Sequence, residues 1–437
     1  MRRLAPTDVW VLLGTLAALV VSNVPVLGSD PWSFRTGRAV GRGLLGPLVD
    51  AADGEWDLGL IRSAALSAGV LVALGATVAA FRPAWRPRSA VALTIAVLCL
   101  LVLPAVLLQV GLRDATQPWL FTNDSTYQIE LAGDLVLDGD SPYGHDYGDS
   151  GQERFYPAVG LPRQQVALEH FAYFPGTPLL AAAWRLLPGP LDDVRLLVAL
   201  TTLGSFLAVL LFAAPIGPRL ALGAVAAGNP LAVRAAWFGT ADSLSVLFLL
   251  LAFALVTRSR YGWAAASLGA AVLSKQFALV AVPFLALMLA RRAPRPALLR
   301  AAGVFAATLL AGFLPFLIAA PGALVEDTLS YGTDTYRIVG YGLSAVLLNL
   351  GVLDDRFGPY PFLPLVALVW LPLTALLLRA QLRGQALWLG GAGFTISMFA
   401  LLYLGRVFQL SYLVWPLAGL VVTALLAAGG RATPARP

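Results

Sequence analysis

Apolar residues in this chain come in long runs, not in alternation. Stretches of Leu, Ala and Val of roughly 17–25 residues recur along its length, enough to cross a bilayer's hydrocarbon core as helices. Only helices and closed barrels satisfy their backbone there, and a barrel needs alternating strands of about ten residues. The pattern therefore predicts an all-α, polytopic membrane protein of about twelve transmembrane helices. They fall near 9–28, 61–81, 90–111, 193–214, 219–238, 241–257, 261–274, 276–290, 298–320, 361–379, 385–404 and 409–427. The pieces at 261–274 and 276–290 are short for a span and read as broken or tilted helices meeting at Ser274-Lys275-Gln276. Residues 175–188 are apolar but shorter still. Trp184 and Arg185 suit a helix lying at the membrane interface, where aromatic rings and guanidinium groups collect.

One long polar island, residues 113–192, interrupts this pattern. It gathers Asp124, Glu130, Asp134, Asp138, Asp140, Asp146, Asp149, Glu153 and Glu169, with both histidines, His145 and His170. Arginines at the ends of the apolar runs set the orientation. Arg2, Arg3, Arg82, Arg86, Arg88, Arg219, Arg258, Arg260, Arg291, Arg292, Arg295, Arg379, Arg383 and Arg431 all fall on one side, which is then cytoplasmic. The acidic island, the Gly239–Asp242 turn, Lys275, the 321–360 loop and Arg406 share the outer side. Arg35, Arg38 and Arg42 break the asymmetry, as a surface-lying helix in an outer loop would.

Of the 437 residues, 58% are hydrophobic and 12% charged, against about 25% charged in soluble domains. The formal charge of +6 sits at helix ends and gives no reason to expect nucleic acid. The single cysteine, Cys99, excludes an intramolecular disulfide and a cysteine-based zinc cluster. The first apolar run is long and has no A-x-A site after it, so it reads as an uncleaved anchor. The expected organisation is two transmembrane helices with an outer loop (1–89), a transmembrane core that includes the acidic loop (90–428), and a cytoplasmic tail (429–437).

Five constellations carry candidate chemistry. Around Asn123-Asp124, Ser125 followed by Gln128 fits a capping box, and Ile129, Ala132, Leu135 and Val136 make an apolar stripe. Glu130, Asp134 and Asp138 lie off it, as in an amphipathic helix resting on the membrane. Asp124 is then either an N-cap or a general base near the membrane surface. Next come Gly139 and Ser141-Pro142-Tyr143, Phe155-Tyr156-Pro157 and Tyr173-Phe174-Pro175, aromatic segments beside carboxylates that could stack on sugar rings. His145, His170 and Glu169 could hold a metal, though no ligand spacing compels it. Asp242 stands at a helix start, while Arg234 is buried by hydropathy, and intramembrane charge is usually functional. Lys275, the sole lysine, is a compact charge able to meet a phosphate or to snorkel at a helix break. Arg406 and Gln409 lie in a short outer turn, where a lipid phosphate would explain the arginine.

Taken in order along residues 90–420, these segments resemble the GT-C type integral-membrane glycosyltransferases. The likeness is greatest to the bacterial polyprenyl-phosphomannose-dependent α-mannosyltransferases. It rests on Asn123-Asp124, Tyr127, Leu135, Gly139, Ser141-Pro142-Tyr143, Phe155-Tyr156-Pro157, Tyr173-Phe174-Pro175, Gly228-Asn229-Pro230, Trp237, Gly239, Asp242, Ser274-Lys275, Arg406, Gln409, Tyr412 and Trp415-Pro416. The two helices before residue 90 depart from the simplest family plan, and Asp124 stands without an adjacent acid. The resemblance implies an inverting single displacement outside the cell membrane, with Asp124 deprotonating the acceptor hydroxyl. Arg406, Lys275, Gln409 and Arg234 would meet the donor phosphate. Tyr127, Tyr143, His145, Glu169, His170 and Asp242 would contact acceptor or sugar. The implied partners are a polyprenyl-phosphate sugar, most simply mannose, a glycolipid or glycan acceptor, and membrane lipids. No cofactor is implied; a divalent metal stays open but is not favoured. Two alternatives remain: a lipid-linked-sugar flippase, for which two related halves would be expected and none is found, and a glycan ligase working from residues 326–337.

Overall fold

The computed structural model describes residues 3–28, 41–43, 45–51, 58–81, 85–156 and 167–431. Arg2, Arg35, Arg38, Arg82, Pro157 and the tail from 432 on, all used above, lie outside them. The chain is all-α. Its first helices are α1 (Pro6–Gly28), α2 (Gly46–Ala51), α3 (Leu58–Ala80) and α4 (Pro87–Asp114). Then come two helices of the polar island, α5 (Asp124–Asp138) and α6 (Gly176–Arg185). The bundle continues with α7 (Val194–Leu210), α8 (Ile216–Gly228), α9 (Pro230–Phe238), α10 (Asp242–Thr257), α11 (Tyr261–Ser274), α12 (Val282–Arg292) and α13 (Arg295–Ala319). The rest are α14 (Pro321–Val325), α15 (Leu343–Asn349), α16 (Phe362–Leu365), α17 (Leu371–Arg383), α18 (Trp388–Leu404) and α19 (Val414–Arg431). Among the described residues, five helical segments are long and apolar enough to cross a membrane: Pro6–Val24, Pro87–Asp114, Arg295–Ala319, Phe362–Arg383 and Leu410–Gly430. Shorter apolar helices such as α7, α10 and α18 pack between them.

One correction concerns the span expected at 219–238. It is two helices, α8 and α9, broken at Asn229-Pro230. Proline has no N–H to continue α8 and is pre-set for the first turn of a new helix. Asn229 caps that turn by accepting from the N–H groups of Leu231 and Ala232, both at 3.0 Å. The break frees the Gly228 carbonyl, and the Asn23 carboxamide of α1 donates to it at 3.0 Å. This is how a helix can be interrupted in an apolar bundle without an unmet backbone group. The break at Lys275 is present as expected. Lys275 is extended, and a 3₁₀ turn, Gln276–Ala281, leads into α12.

Two apolar cores fill the bundle. One is shared by α7, α10, α11, α12, α18 and α19, the other by α1, α3, α4, α8 and α9. Several of the arginines expected on one face lie together at one end, where they donate to carbonyls at helix ends. Arg219 reaches Leu210, Arg258 reaches Leu211 and Phe212, and Arg291 reaches Gly384. The opposite end carries a third, smaller core of α5, α6 and the segments around them. Arg42 lies at that end, with its N–H on the Ala115 carbonyl at 2.8 Å. A two-residue parallel ladder, β1 (Val339–Gly340) with β2 (Val407–Phe408), joins the loop after α13 to the turn before α19.

Candidate active site

The polar end is built around the first turn of α5. Asn123, not Ser125, caps this helix, its side chain accepting from Thr126 N at 2.9 Å. The expected capping box is absent, because Gln128 instead donates to the carbonyls of Ala167 and His170, both at 2.9 Å. Asp124 is therefore the first helical residue and not the cap. Asn123 and Thr126 also donate to the Phe238 carbonyl, Thr126 at 2.8 Å, so α5 is bolted to the end of α9. Gly239 makes this approach possible. Its φ is +75°, and a Cβ there would lie 2.4 Å from Thr126 Oγ1 and 2.6 Å from Arg195 Cγ.

A buried charge network sets the approach to that turn. Arg113, at the end of α4, pairs with Glu130 and with Asp193 (2.9 Å). Asp193 also pairs with Arg195 (2.7 Å). Arg195 in turn donates to the carbonyl of Phe121, which sits at a φ of +55°. Glu130 was expected on the solvated face of α5; it is buried because Arg113 and the Val194 N–H (3.0 Å) meet its charge. The adjacent arginines hold the Asp193 carboxyl well below the usual range despite burial.

Asp124 is half-buried. One carboxylate oxygen accepts from Ser125 N at 2.8 Å and the other from the Tyr156 hydroxyl at 2.9 Å. Loss of water around Tyr156, and then the Asp124 charge, push that phenol far above its ordinary value, so it remains a donor. Tyr331 and Tyr336 feel the same carboxylate and are raised, first by burial. Ser125 Oγ is hydrogen-bonded to the hydroxyl of Tyr173. Behind it, Lys275 lies 5.3 Å from the Tyr173 ring centre.

The other sequence-derived candidates divide clearly. Lys275 and Asp242 come together as a buried ion pair of 2.9 Å, and Asp242 also accepts from Trp415 Nε1 at 2.8 Å. Arg406 is buried and donates to the carbonyls of Tyr336 and Phe357. Gln409 is half-buried, its carbonyl holding the Tyr412 N–H at 3.1 Å. Arg234, expected to be buried, is half-buried with its guanidinium 5.4 Å from the Phe238 ring centre. Tyr127 and Tyr143 are buried, and their hydroxyls donate to the carbonyls of Ser150 (2.8 Å) and Tyr173 (2.9 Å). His145 packs edge-on against Tyr147, and Glu169 is half-buried. His170 Nδ1 is 2.8 Å from Asp327, and its ring stacks on Tyr331. Among the described residues, no three His, Cys, Asp or Glu side chains are grouped to hold a metal.

Sequence reasoning placed Tyr156 only among aromatic segments able to stack on sugar, and Asp327, Tyr331 and Tyr336 only within the 326–337 loop of the ligase alternative; it gave no role to the Arg113–Glu130–Asp193–Arg195 network. Asp327 also accepts from the N–H groups of Gly144 (2.9 Å) and Phe171 (3.2 Å), tying three outer segments together. It rides on a π-helical segment, Glu326–Thr335, a geometry frequent at functional sites. One signal did exist for the network: Arg113 and Arg195 end their apolar runs on the acid-rich side, against the charge asymmetry.

No protein-family model matches the chain, and no curated protein matches it. Among solved structures, the chain is similar to the crystal structure of ArnT from Cupriavidus metallidurans bound to undecaprenyl phosphate. The TM-score is 0.47 and the identity 19%, over 79% of this chain. The chain spans 60% of the length of that structure, and a likeness of this size carries nothing about activity.

Proposed function

We propose that this protein is a membrane-embedded glycosyltransferase that moves a sugar from a polyprenyl-phosphate carrier to an acceptor hydroxyl on the extracytoplasmic face. The observation that carries this reading is the setting of Asp124. A half-buried carboxylate is fixed at a helix start by Ser125 N and Tyr156 OH, among tyrosine hydroxyls, at the end of the bundle opposite the arginine-rich face. Each carboxylate oxygen offers two acceptor positions, so one on each remains for an acceptor hydroxyl. The acceptor proton passes to Asp124, and the acceptor oxygen attacks the anomeric carbon. The bond from that carbon to the phosphate oxygen breaks on the opposite face, and the lipid phosphate departs with inversion.

Around this base, Tyr156 orients the carboxylate. Lys275 and Arg406, whose charges are already met inside the protein, act as braces. His145 and Glu169 remain as contacts for sugar or acceptor. Mannose is the donor sugar that the sequence resemblance favours. The ligase reading draws no support from Asp327, whose carboxylate is taken up by His170, Gly144 and Phe171.

The test is incubation of the purified protein with a panel of polyprenyl-phosphate sugars and an acceptor, reading release of free polyprenyl phosphate. A positioned base is worth about 10²–10⁴-fold, so Asp124→Asn lowers turnover by about that factor with the fold intact. Unchanged turnover would remove Asp124 from the reaction. Movement of the lipid sugar across the membrane without phosphate release would make the protein a flippase.

A further inference from the structure

The Asp124 carboxylate is fixed from two sides. Tyr156 holds one oxygen directly, and the backbone N–H of Ser125 holds the other. Ser125 has a side chain to place as well. Its Oγ is hydrogen-bonded to the hydroxyl of Tyr173, 48 residues along the chain. The residue whose N–H orients the base is therefore itself held by Tyr173. Burial raises the Tyr173 phenol above its ordinary value, so it remains a hydroxyl.

Tyr173 takes its place from the helix break at Lys275. The segment 172–177 lies across that break. Thr177 Oγ1 donates to the Ser274 carbonyl at 2.7 Å, and Gln276 Nε2 donates to the Ala172 carbonyl at 3.3 Å. A Cβ on Gly176 would lie 2.7 Å from the Leu273 carbonyl carbon, so the two backbones are in close contact. A helix continued through Lys275 would spend the Ser274 carbonyl on its own ladder. The Tyr173 carbonyl accepts from the Tyr143 hydroxyl at 2.9 Å, which fixes the backbone from the other side.

At the break, Lys275 Nζ stands among aromatic rings. Its distances to the ring centres of Tyr173, Phe277 and Tyr412 are 5.3, 5.5 and 5.1 Å. Asp242 meets the charge at 2.9 Å and is itself held by Trp415 Nε1. A cation within about 6 Å of a ring face is attracted by the ring's quadrupole, more strongly away from water, and Lys275 is buried. The ion pair thus fixes the Tyr173 ring from the start of α10 and from the break between α11 and α12.

We propose that Tyr173 is a positioning residue for the Asp124 base, set in place by the Lys275–Asp242 pair and acting through Ser125. Its kinetic consequence rests on the transferase reading. Its hold on the first turn of α5 does not, and is measurable without turnover.

The experiment compares the purified full-length protein with Tyr173→Phe, Ser125→Ala and the two combined. Phenylalanine keeps the ring beside Lys275 and removes only the bond to Ser125. With a polyprenyl-phosphate sugar from the panel above, each single variant should lower kcat by about three- to tenfold at constant donor KM, as loss of one hydrogen bond does. The combined variant should fall no further, because both changes remove the same bond. Hydrogen exchange at the amides of Ser125, Thr126 and Tyr127 should quicken alike in all three, with α3 unchanged. Lys275→Met together with Asp242→Asn removes both charges and leaves no lone buried ion. There too the same amides should exchange faster and kcat should fall by a similar factor. Additive losses in the combined variant, or parental kcat and exchange in Tyr173→Phe, overturn the positioning role. A rise in donor KM at constant kcat overturns it as well, making Tyr173 a substrate contact. Parental exchange in the Lys275→Met, Asp242→Asn variant overturns the part given to the ion pair. If the parent transfers no sugar while the exchange differences hold, the transferase reading fails and the hold of Tyr173 on α5 stands.

Discussion

The position of Asp124 could be read from the sequence because it is set locally. An acid that follows an asparagine at the start of an amphipathic run, just beyond a long span, stands near the membrane surface whatever else the chain does. Tyr156 could not, since nothing short-range ties it to a residue 32 positions earlier. Among the described residues, its hydroxyl is the one side-chain donor on the Asp124 carboxylate, and a hydrogen bond to a charged group is worth about 1.5–3 kcal/mol. Tyr156→Phe should therefore lower kcat by about tenfold or more and change KM little, because the bond orients the base and does not hold substrate. Steady-state kinetics on the two proteins decide this. A rise in KM at constant kcat would move Tyr156 to substrate binding.

At the scale of elements, periodicity located the helices well and their interruptions unevenly. The break at Lys275 was visible because a lone charge divides two short apolar runs. The break at Asn229-Pro230 was hidden inside a run long enough to be one span, although Pro230 marked it. What makes it tolerable, Asn23 donating to Gly228, joins residues 205 apart and no local pattern shows it. The other end of α9 sets a sharp steric requirement at Gly239, where the helix meets the first turn of α5. Gly239→Ala would add a Cβ within 2.6 Å of both Thr126 Oγ1 and Arg195 Cγ, at a positive φ. Strain and overpacking of this kind cost roughly 1–3 kcal/mol each. Thermal unfolding of the variant should show a clear drop in midpoint, with transfer falling too, because the displaced turn carries Asp124. A variant as stable as the parent would mean that α5 and α9 are not tightly apposed.

For the whole molecule, the separation of an acid-rich end from an arginine-rich end was legible, because charge placement along a polytopic chain is a topological record. The content of the acid-rich end was not. Where the sequence shows only a polar island with an amphipathic helix, the structure has a packed layer whose carboxylates Glu130, Asp193 and Asp327 are buried and met by partners such as Arg113 and His170. Tyrosines thread this layer, and burial raises Tyr143, Tyr147, Tyr156, Tyr173, Tyr331 and Tyr336 above the ordinary phenol value. Those shifts fix a sign. A group that holds its proton more tightly when folded contributes stability that is complete below the unfolded pKa, about 10 for tyrosine. That stability is lost as pH rises above this value, since the unfolded chain ionises first. The thermal midpoint of the purified protein, as far as these tyrosines govern it, should stay level up to about pH 10 and then fall steeply. Phenolate absorbance should appear with unfolding and not before it. Tyrosines that titrate freely near pH 10 while the protein stays folded would mean that the layer is open to water, and the half-buried tyrosine setting described for Asp124 would go with it.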